Sequence, residues 1–192
     1  MFKSVWDIEQ FFENSPNWDK YEEFYYDGNP NVYEEHGDLY FAMSSVVCDL
    51  FGLDFFSHGC SRSVFRFGDY VAKVCIEPSE WSCANDRELE LINLLYKKNR
   101  LDLVDYLVPI VGSIKSKRYY ENLVIVSPLC DSLDDSREVL SPDEAEELGK
   151  EIYNEFFKAG VVLDDISISS NYGFYKGRWR LLDFAEWSFA SC

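Results

Sequence analysis

The chain has 192 residues, enough for one domain with a proper core or for a small two-lobed unit. Its 47% apolar and 17% aromatic content exclude a disordered chain. Thirty-five acidic against 18 basic residues leave a formal net charge of −17, which argues against direct nucleic-acid binding, because that depends on neutralising phosphates with Lys and Arg.

Two readings of the charge stay open: solubility through self-repulsion, or an acidic surface that docks on a basic protein partner by imitating nucleic acid. No apolar run approaches the roughly eighteen residues of a membrane span, and MFKSVWDIEQFF lacks the basic-then-apolar order of a signal peptide, so no membrane association and a cytoplasmic location are expected. Cysteines at 48, 60, 75, 83, 130 and 192 show no C-x-x-C spacing, and only His36 and His58 are available to join them. They read as reduced thiols, mostly small core residues, rather than a zinc site.

In chain order, Val5, Ile8, Phe11 and Phe12 repeat at helical spacing behind a Ser4 cap, with Asp7 and Glu9 suited to the first turn. Ser15-Pro16 ends this helix near Asn14. Trp18 to Tyr33 has no clear period and reads as irregular surface with one short helix. Leu39, Ala42, Met43, Val46, Val47 and Leu50 predict a helix ended by Gly52. The aromatic crowd of Trp6, Phe11, Phe12, Trp18, Phe24, Tyr25 and Tyr26 suits either a recognition surface or the packing of an extension onto its host domain.

Next comes GCSRSVFRFGDYVAKVCI, Gly59 to Ile76. Apolar and polar residues alternate through Val64 to Phe67, break at Gly68-Asp69 and alternate again through Tyr70 to Cys75, which predicts a β-hairpin. The small-residue run Gly59 to Ser63 allows bare backbone to lie close to a ligand. Lys73, set among Val71, Ala72, Val74 and Ile76, must find an anion or bear the cost of burial, and a nucleotide phosphate answers both features.

Asn85 to Tyr96 predicts an amphipathic helix with Leu91, Leu94 and Leu95 on its apolar side. Leu107 to Ile114 and Leu123 to Val126 read as an antiparallel strand pair around KSKRYYEN. Past Pro128 the chain turns acidic through Asp131, Asp134 and Asp135. Ser141-Pro142-Asp143-Glu144 opens a helix that Gly160 stops. Then Asp164 and Asp165 fall at a turn, a short strand starts at Asn171, Lys176-Gly177 turns the chain, and Trp179 to Leu182 returns it to Asp183. Acid, amide and acid on the rims of a short hairpin suit divalent-metal and hydroxyl chemistry, since Mg²⁺ takes hard oxygen ligands.

GCSRSVFRFGDYVAKV resembles the glycine-rich loop and lysine strand of protein kinases, and Asn171-Tyr172-Gly173 followed by Lys-Gly and LLDF is similar to the compact kinase-like proteins of bacteriophages and prokaryotes. The resemblance covers roughly Gly59 to Ala185. It implies an α+β, protein-kinase-like two-lobed fold: an N-terminal helical extension over 1–56, an N-lobe with an antiparallel sheet over 57–127, and a truncated helical C-lobe over 128–192. It further implies ATP and Mg²⁺ as cofactors and a serine/threonine-type kinase transferring phosphate to a protein acceptor.

By position, the resemblance makes Lys73 the phosphate anchor and Glu88, fifteen residues on, its orienting partner, with Glu90 the fallback. Gly59, Ser61, Arg62, Ser63 and Leu129 would contact the nucleotide, with Ser127 to Cys130 as the adenine hinge. Asn171 and Asp183, twelve residues apart, would hold the metal. Asp165 would position the acceptor hydroxyl. The sequence departs from the family in three ways. Gly59 is the only glycine of the loop; Asp165 lies six residues before Asn171, where the family's five-residue spacing reaches Ile166; and nine residues after Asp183 leave no room for an activation segment or peptide-binding helices. The alternative is therefore a catalytically inactive pseudokinase used as a protein-binding module, including a phage-encoded acidic inhibitor of a host or defence protein.

Overall fold

The computed structural model describes residues 4–27, 39–54, 56–59, 61–76, 83–130 and 140–190. The expectations for residues 28–33, for Cys60 and Cys192 and for the acidic stretch 131–135 lie outside these. The fold is mixed α and β, and the chain divides into two compact units, Met1–Asp86 with Ile110–Leu129, and Arg87–Pro109 with Cys130–Cys192.

In the first unit, α1 (Val5–Glu13) starts at a capping box: the Asp7 backbone N–H donates to Ser4 Oγ, and the Ser4 backbone N–H donates to the Asp7 carboxylate. The stretch expected to be irregular surface with one short helix contains α2 (Trp18–Asp27), ten residues long. Its buried face carries Trp18, Tyr21, Glu22 and Tyr25 at i, i+3, i+4 and i+7, with Phe24 beside them, and the acid within that stripe hides the period. Glu22 is tolerated there because its Oε1 accepts from the Trp18 indole at 3.1 Å and from the Lys117 backbone N–H at 2.6 Å. The next helix, α3 (Leu39–Phe51), ends at Gly52, whose φ of +63° only glycine adopts without strain.

The sheet contains β1 (Ser57–His58), β2 (Arg62–Phe67), β3 (Tyr70–Cys75), β4 (Gly112–Lys115) and β5 (Asn122–Pro128), all antiparallel, in the order β1-β2-β3-β5-β4. The predicted β2–β3 hairpin is present, turning at Gly68-Asp69, with Gly68 at φ +64°. Leu107 to Ile110, expected to be strand, is not part of this sheet. Pro109 cannot donate to a ladder, and Leu107 instead makes a single parallel bridge to Leu181 in the second unit.

One face of the sheet carries Phe65, Phe67, Ala72, Val74, Ile114, Val124 and Val126, and these share a continuous core with Ile8, Phe12, Trp18, Tyr21, Met43, Val47 and Phe51 from the three helices. Gly112 allows α1 its close approach to β4, since a Cβ there would lie 2.5 Å from Val5 Cγ1.

Helix α4 (Ala84–Lys97) opens in the first unit, and from Arg87 onward its residues belong to the second. The second unit adds the short α5 (Leu101–Val104), α6 (Pro142–Lys158), β6 (Val161–Leu163), a 3₁₀ turn at Ser169–Asn171, β7 (Tyr172–Tyr175), β8 (Arg178–Leu181) and β9 (Trp187–Phe189). The expected Ser141 capping box with Glu144 is formed, and Gly160 follows α6 at φ +80°. Strand β6 pairs with β9, and β7 with β8, both antiparallel. Leu91, Leu95, Leu103, Ile152, Phe156, Leu181 and Phe184 are buried. Among the described residues, no helix is long and apolar enough to cross a membrane.

Candidate functional site

In an antiparallel ladder, directly paired residues share a face, and so do residues two apart. Lys73 pairs with Val64 on one side and Ile125 on the other, and Val71 pairs with Ser127. Lys73, Val64, Val71, Ile125 and Ser127 therefore occupy one face of the sheet, opposite the face the helices cover. Lys73 is buried at 7% exposure and Ser127 at 1%, while Val64 and Val71 are half-buried. The Ser127 hydroxyl is buried with no hydrogen-bond partner among the described residues, which makes it a polar atom suited to an incoming ligand.

Asn85 fixes the backbone beside the lysine. Its Nδ2 donates to the Lys73 carbonyl at 3.1 Å, and its Oδ1 accepts from Arg62 Nη1 at 3.4 Å. By its pattern Asn85 is only the start of a helix. Nothing in the pattern distinguished a buried bridging amide from a cap.

The other nucleotide candidates take different positions. The exposed Gly59 donates its N–H to the Arg62 carbonyl at 2.9 Å, closing the β1–β2 hairpin, and the Ser61 carbonyl accepts from Ile76 N–H at 2.9 Å. Arg62 is buried. Ser63 lies on the helix-covered face, where its hydroxyl meets Ser44 Oγ at 2.7 Å. Leu129 donates its backbone N–H to the Asp69 carbonyl at 2.8 Å.

The second unit gathers Glu88, Asp165, Asn171 and Asp183 around one turn. The β7–β8 register pairs Tyr172 with Leu181, and Leu182 N–H donates to the Asn171 carbonyl at 2.7 Å, so Asn171 and Asp183 flank the open end of the hairpin. A left-handed Lys176-Gly177 pair, at φ +50° and +82°, makes its tight turn. Gly173 lets the hairpin close on Cys130, because a Cβ there would lie 2.6 Å from Cys130 Cβ. Glu88 is fully buried and accepts the backbone N–H of Phe184, the residue after Asp183, at 3.4 Å.

Asp165 is exposed and holds φ +55°, a left-handed conformation costly for a residue with a Cβ. Asn171 Nδ2 stabilises it by donating to the Asp165 carbonyl at 3.1 Å, and Tyr172 OH donates to the Ile166 carbonyl at 2.5 Å. These two bonds make the loop from 165 to 171 a closed local structure.

A pair with no local pattern behind it holds α4 to β9. Arg87 stacks its guanidinium 4.2 Å from the centre of the Trp187 ring and donates from Nη2 to the Trp187 carbonyl, while Trp187 Nε1 donates to the Arg87 carbonyl at 2.9 Å. The two residues are a hundred positions apart, beyond any local pattern.

With Nδ2 engaged, Asn171 keeps its Oδ1 as an acceptor atom, at the same open end of the hairpin as Asp183. Among the described residues no group of three or more His, Cys, Asp or Glu gathers to hold a metal. One carboxylate and one amide oxygen suit Mg²⁺ when phosphate oxygens and water complete its shell.

No family model and no curated protein matches this chain.

Proposed function

We propose that this chain is a compact kinase-like protein that binds ATP with Mg²⁺ and transfers phosphate to a protein acceptor. The observation that carries the reading is the buried Glu88 carboxylate receiving the Phe184 N–H, which joins a helix acid to the turn bearing Asp183 while Asn171 stands across the hairpin. The buried Lys73 and the unpartnered Ser127 hydroxyl on one sheet face support it independently.

In this reading Lys73 anchors the phosphates, Glu88 is the orienting carboxylate, Asn171 and Asp183 hold Mg²⁺, and Asp165 positions the acceptor hydroxyl. Bound Mg²⁺ supplies neutralisation of the phosphate charge. The residues' own contribution is placement: a hairpin rim that fixes two oxygen donors, and a pinned loop that presents a carboxylate.

Transfer of radiolabelled phosphate from ATP, compared among the parent chain, Lys73→Ala and Asp183→Ala, tests the reaction. Transfer by the parent alone is expected. Equal signal from all three removes the enzyme. ATP with Mg²⁺ should also raise the melting temperature, by mass action on the folded state, and no shift at saturating nucleotide would count against binding altogether.

A second reading, the inactive kinase-like binding module, is favoured by one observation: Asp165, which would position the acceptor hydroxyl, lies six residues before Asn171 and is held at φ +55° in an exposed turn. Association with a protein partner that survives both Asp165→Ala and Asp183→Ala is its expected signature. In its acidic-inhibitor form, with the net charge of −17 contacting a basic partner, association should weaken as salt rises.

A further inference from the structure

Two sulfurs in the first unit lie closer together than packing alone requires. Cys75 ends β3, and Cys83 immediately precedes α4. Their Sγ atoms are 2.6 Å apart, against about 2.05 Å in a formed disulfide. Both thiols are buried, at 0% and 2% exposure, and both are reduced in this structure. We propose that Cys75 and Cys83 form a reversible oxidation site that closes to a disulfide when the protein meets a peroxide.

The surroundings make the two sulfurs unequal. The hydrogen bond shared with Cys75 holds the Cys83 thiol below its ordinary range, helped by the backbone N–H groups of Asn85 and Asp86 at the start of α4, while burial opposes the shift. Burial pushes the Cys75 thiol up, and the bond to Cys83 adds to this. Asp86 faces Cys83 and acts against its ionisation, and Arg62 faces Cys75 and favours it. Tyrosines of α2 complete the enclosure: Tyr21 OH donates to the Cys75 carbonyl at 2.7 Å, and the Tyr25 side chain hydrogen-bonds Cys83. The Cys83 sulfur also donates to the Asn122 carbonyl at 3.4 Å.

The chemistry follows from that asymmetry. Cys83 thiolate attacks one peroxide oxygen, the O–O bond breaks, and hydroxide leaves, giving a sulfenic acid at Cys83. The Cys75 sulfur then attacks the Cys83 sulfur; its proton and the departing hydroxyl leave as water, and the S–S bond forms. The two thiols lose two electrons and two protons, and one hydrogen peroxide becomes two waters. The bond would join the end of the strand bearing Lys73 to the residue that opens the helix bearing Glu88. A small-molecule thiol would reverse it by exchange.

The sequence supplies a clean readout, because Lys73 and Arg87 bracket both cysteines in a single tryptic peptide, Val74 to Arg87, with no other basic residue inside it. The full chain is treated with hydrogen peroxide, unfolded, alkylated and digested. The expected result is a Val74–Arg87 peptide lighter by two hydrogens that takes no alkyl group, and takes two after reduction with dithiothreitol. A parallel sample refolded in mixed reduced and oxidised glutathione covers the case in which burial keeps peroxide out, and the same closed peptide is expected. A peptide doubly alkylated in both samples, or one cross-linked through Cys75 or Cys83 to any other cysteine, overturns the proposal.

Discussion

Gly149 on α6 leaves no room for a side chain, since a Cβ there would fall 2.5 Å from the Ile166 carbonyl oxygen. That oxygen belongs to backbone already held by Tyr172 OH, so the loop after Asp165 has nowhere to retreat. Gly149→Ala should cost about 1–3 kcal/mol through overpacking, read as a fall in the urea midpoint without a change in slope. Glu88 poses the opposite case, a buried acid whose loss strands a donor. Glu88→Leu should destabilise by about 1–3 kcal/mol, because the Phe184 N–H loses its acceptor, whereas Glu88→Gln keeps an oxygen there and should cost less. Both variants are compared by chemical denaturation.

Two tyrosines of the second unit give a prediction in pH. The Glu151 carboxylate that accepts from Tyr106 OH at 2.7 Å pushes Tyr106 up to about 12, and burial pushes Tyr172 up to about 12. An unfolded tyrosine ionises near 10, so above that pH the unfolded chain releases protons that the folded chain keeps. The stability these groups contribute is complete below pH 10 and is lost as pH rises from 10 towards 12. Tyrosinate absorbance followed alongside circular dichroism should show late ionisation coinciding with unfolding. The 13 tyrosines are separated by difference spectra, and loss of an ionisation step near 10 on Tyr106→Phe or Tyr172→Phe, with the fold intact, would contradict the environments described.

At the scale of elements, the two hairpins were legible because each joins a period-two pattern to a turn with a left-handed glycine, Gly68 in one and Gly177 in the other. The capped helices α1 and α6 were legible through Ser4 and Ser141. Ser4→Ala should remove about 1 kcal/mol, measurable as a lower melting temperature, since α1 has only nine residues and its first N–H groups rely on that cap.

Helix α2 was legible only as a short helix without a clear period, because the buried Glu22 interrupts the apolar stripe that Trp18, Tyr21 and Tyr25 make on one face, with Phe24 at its edge. Leu107 to Ile110 misled because its β-branched run matches a strand, while Pro109 and the partner Leu181, more than seventy residues away, decide its structure. For the candidate site, Asn171 and Asp183 could be brought together by reading one turn. The Asn85 bridge and the Arg87–Trp187 lock depend on contacts that no local period encodes.

Across the whole molecule, excess negative charge acts on every element at once. With 35 acidic and 18 basic residues the folded chain repels itself, and the exposed ion pairs such as Lys117–Asp19 and Arg118–Asp27 contribute little to offset this. Screening should therefore win over the loss of those pairs, and the melting temperature should rise as sodium chloride is increased from low to physiological ionic strength and beyond. A monotonic fall would show that the surface pairs matter more than the net charge.

The shared core of α1, α2 and α3 with the sheet has a practical outcome for anyone wishing to trim the protein. A version beginning at residue 57 would lay Phe65, Phe67, Val74 and Val126 open to water as one greasy plate, and strip Tyr21 from the carbonyl at the end of the lysine strand. Such a fragment should clump on sizing columns rather than run as a smaller monomer. Helices α1, α2 and α3 work as a lid riveted to the sheet.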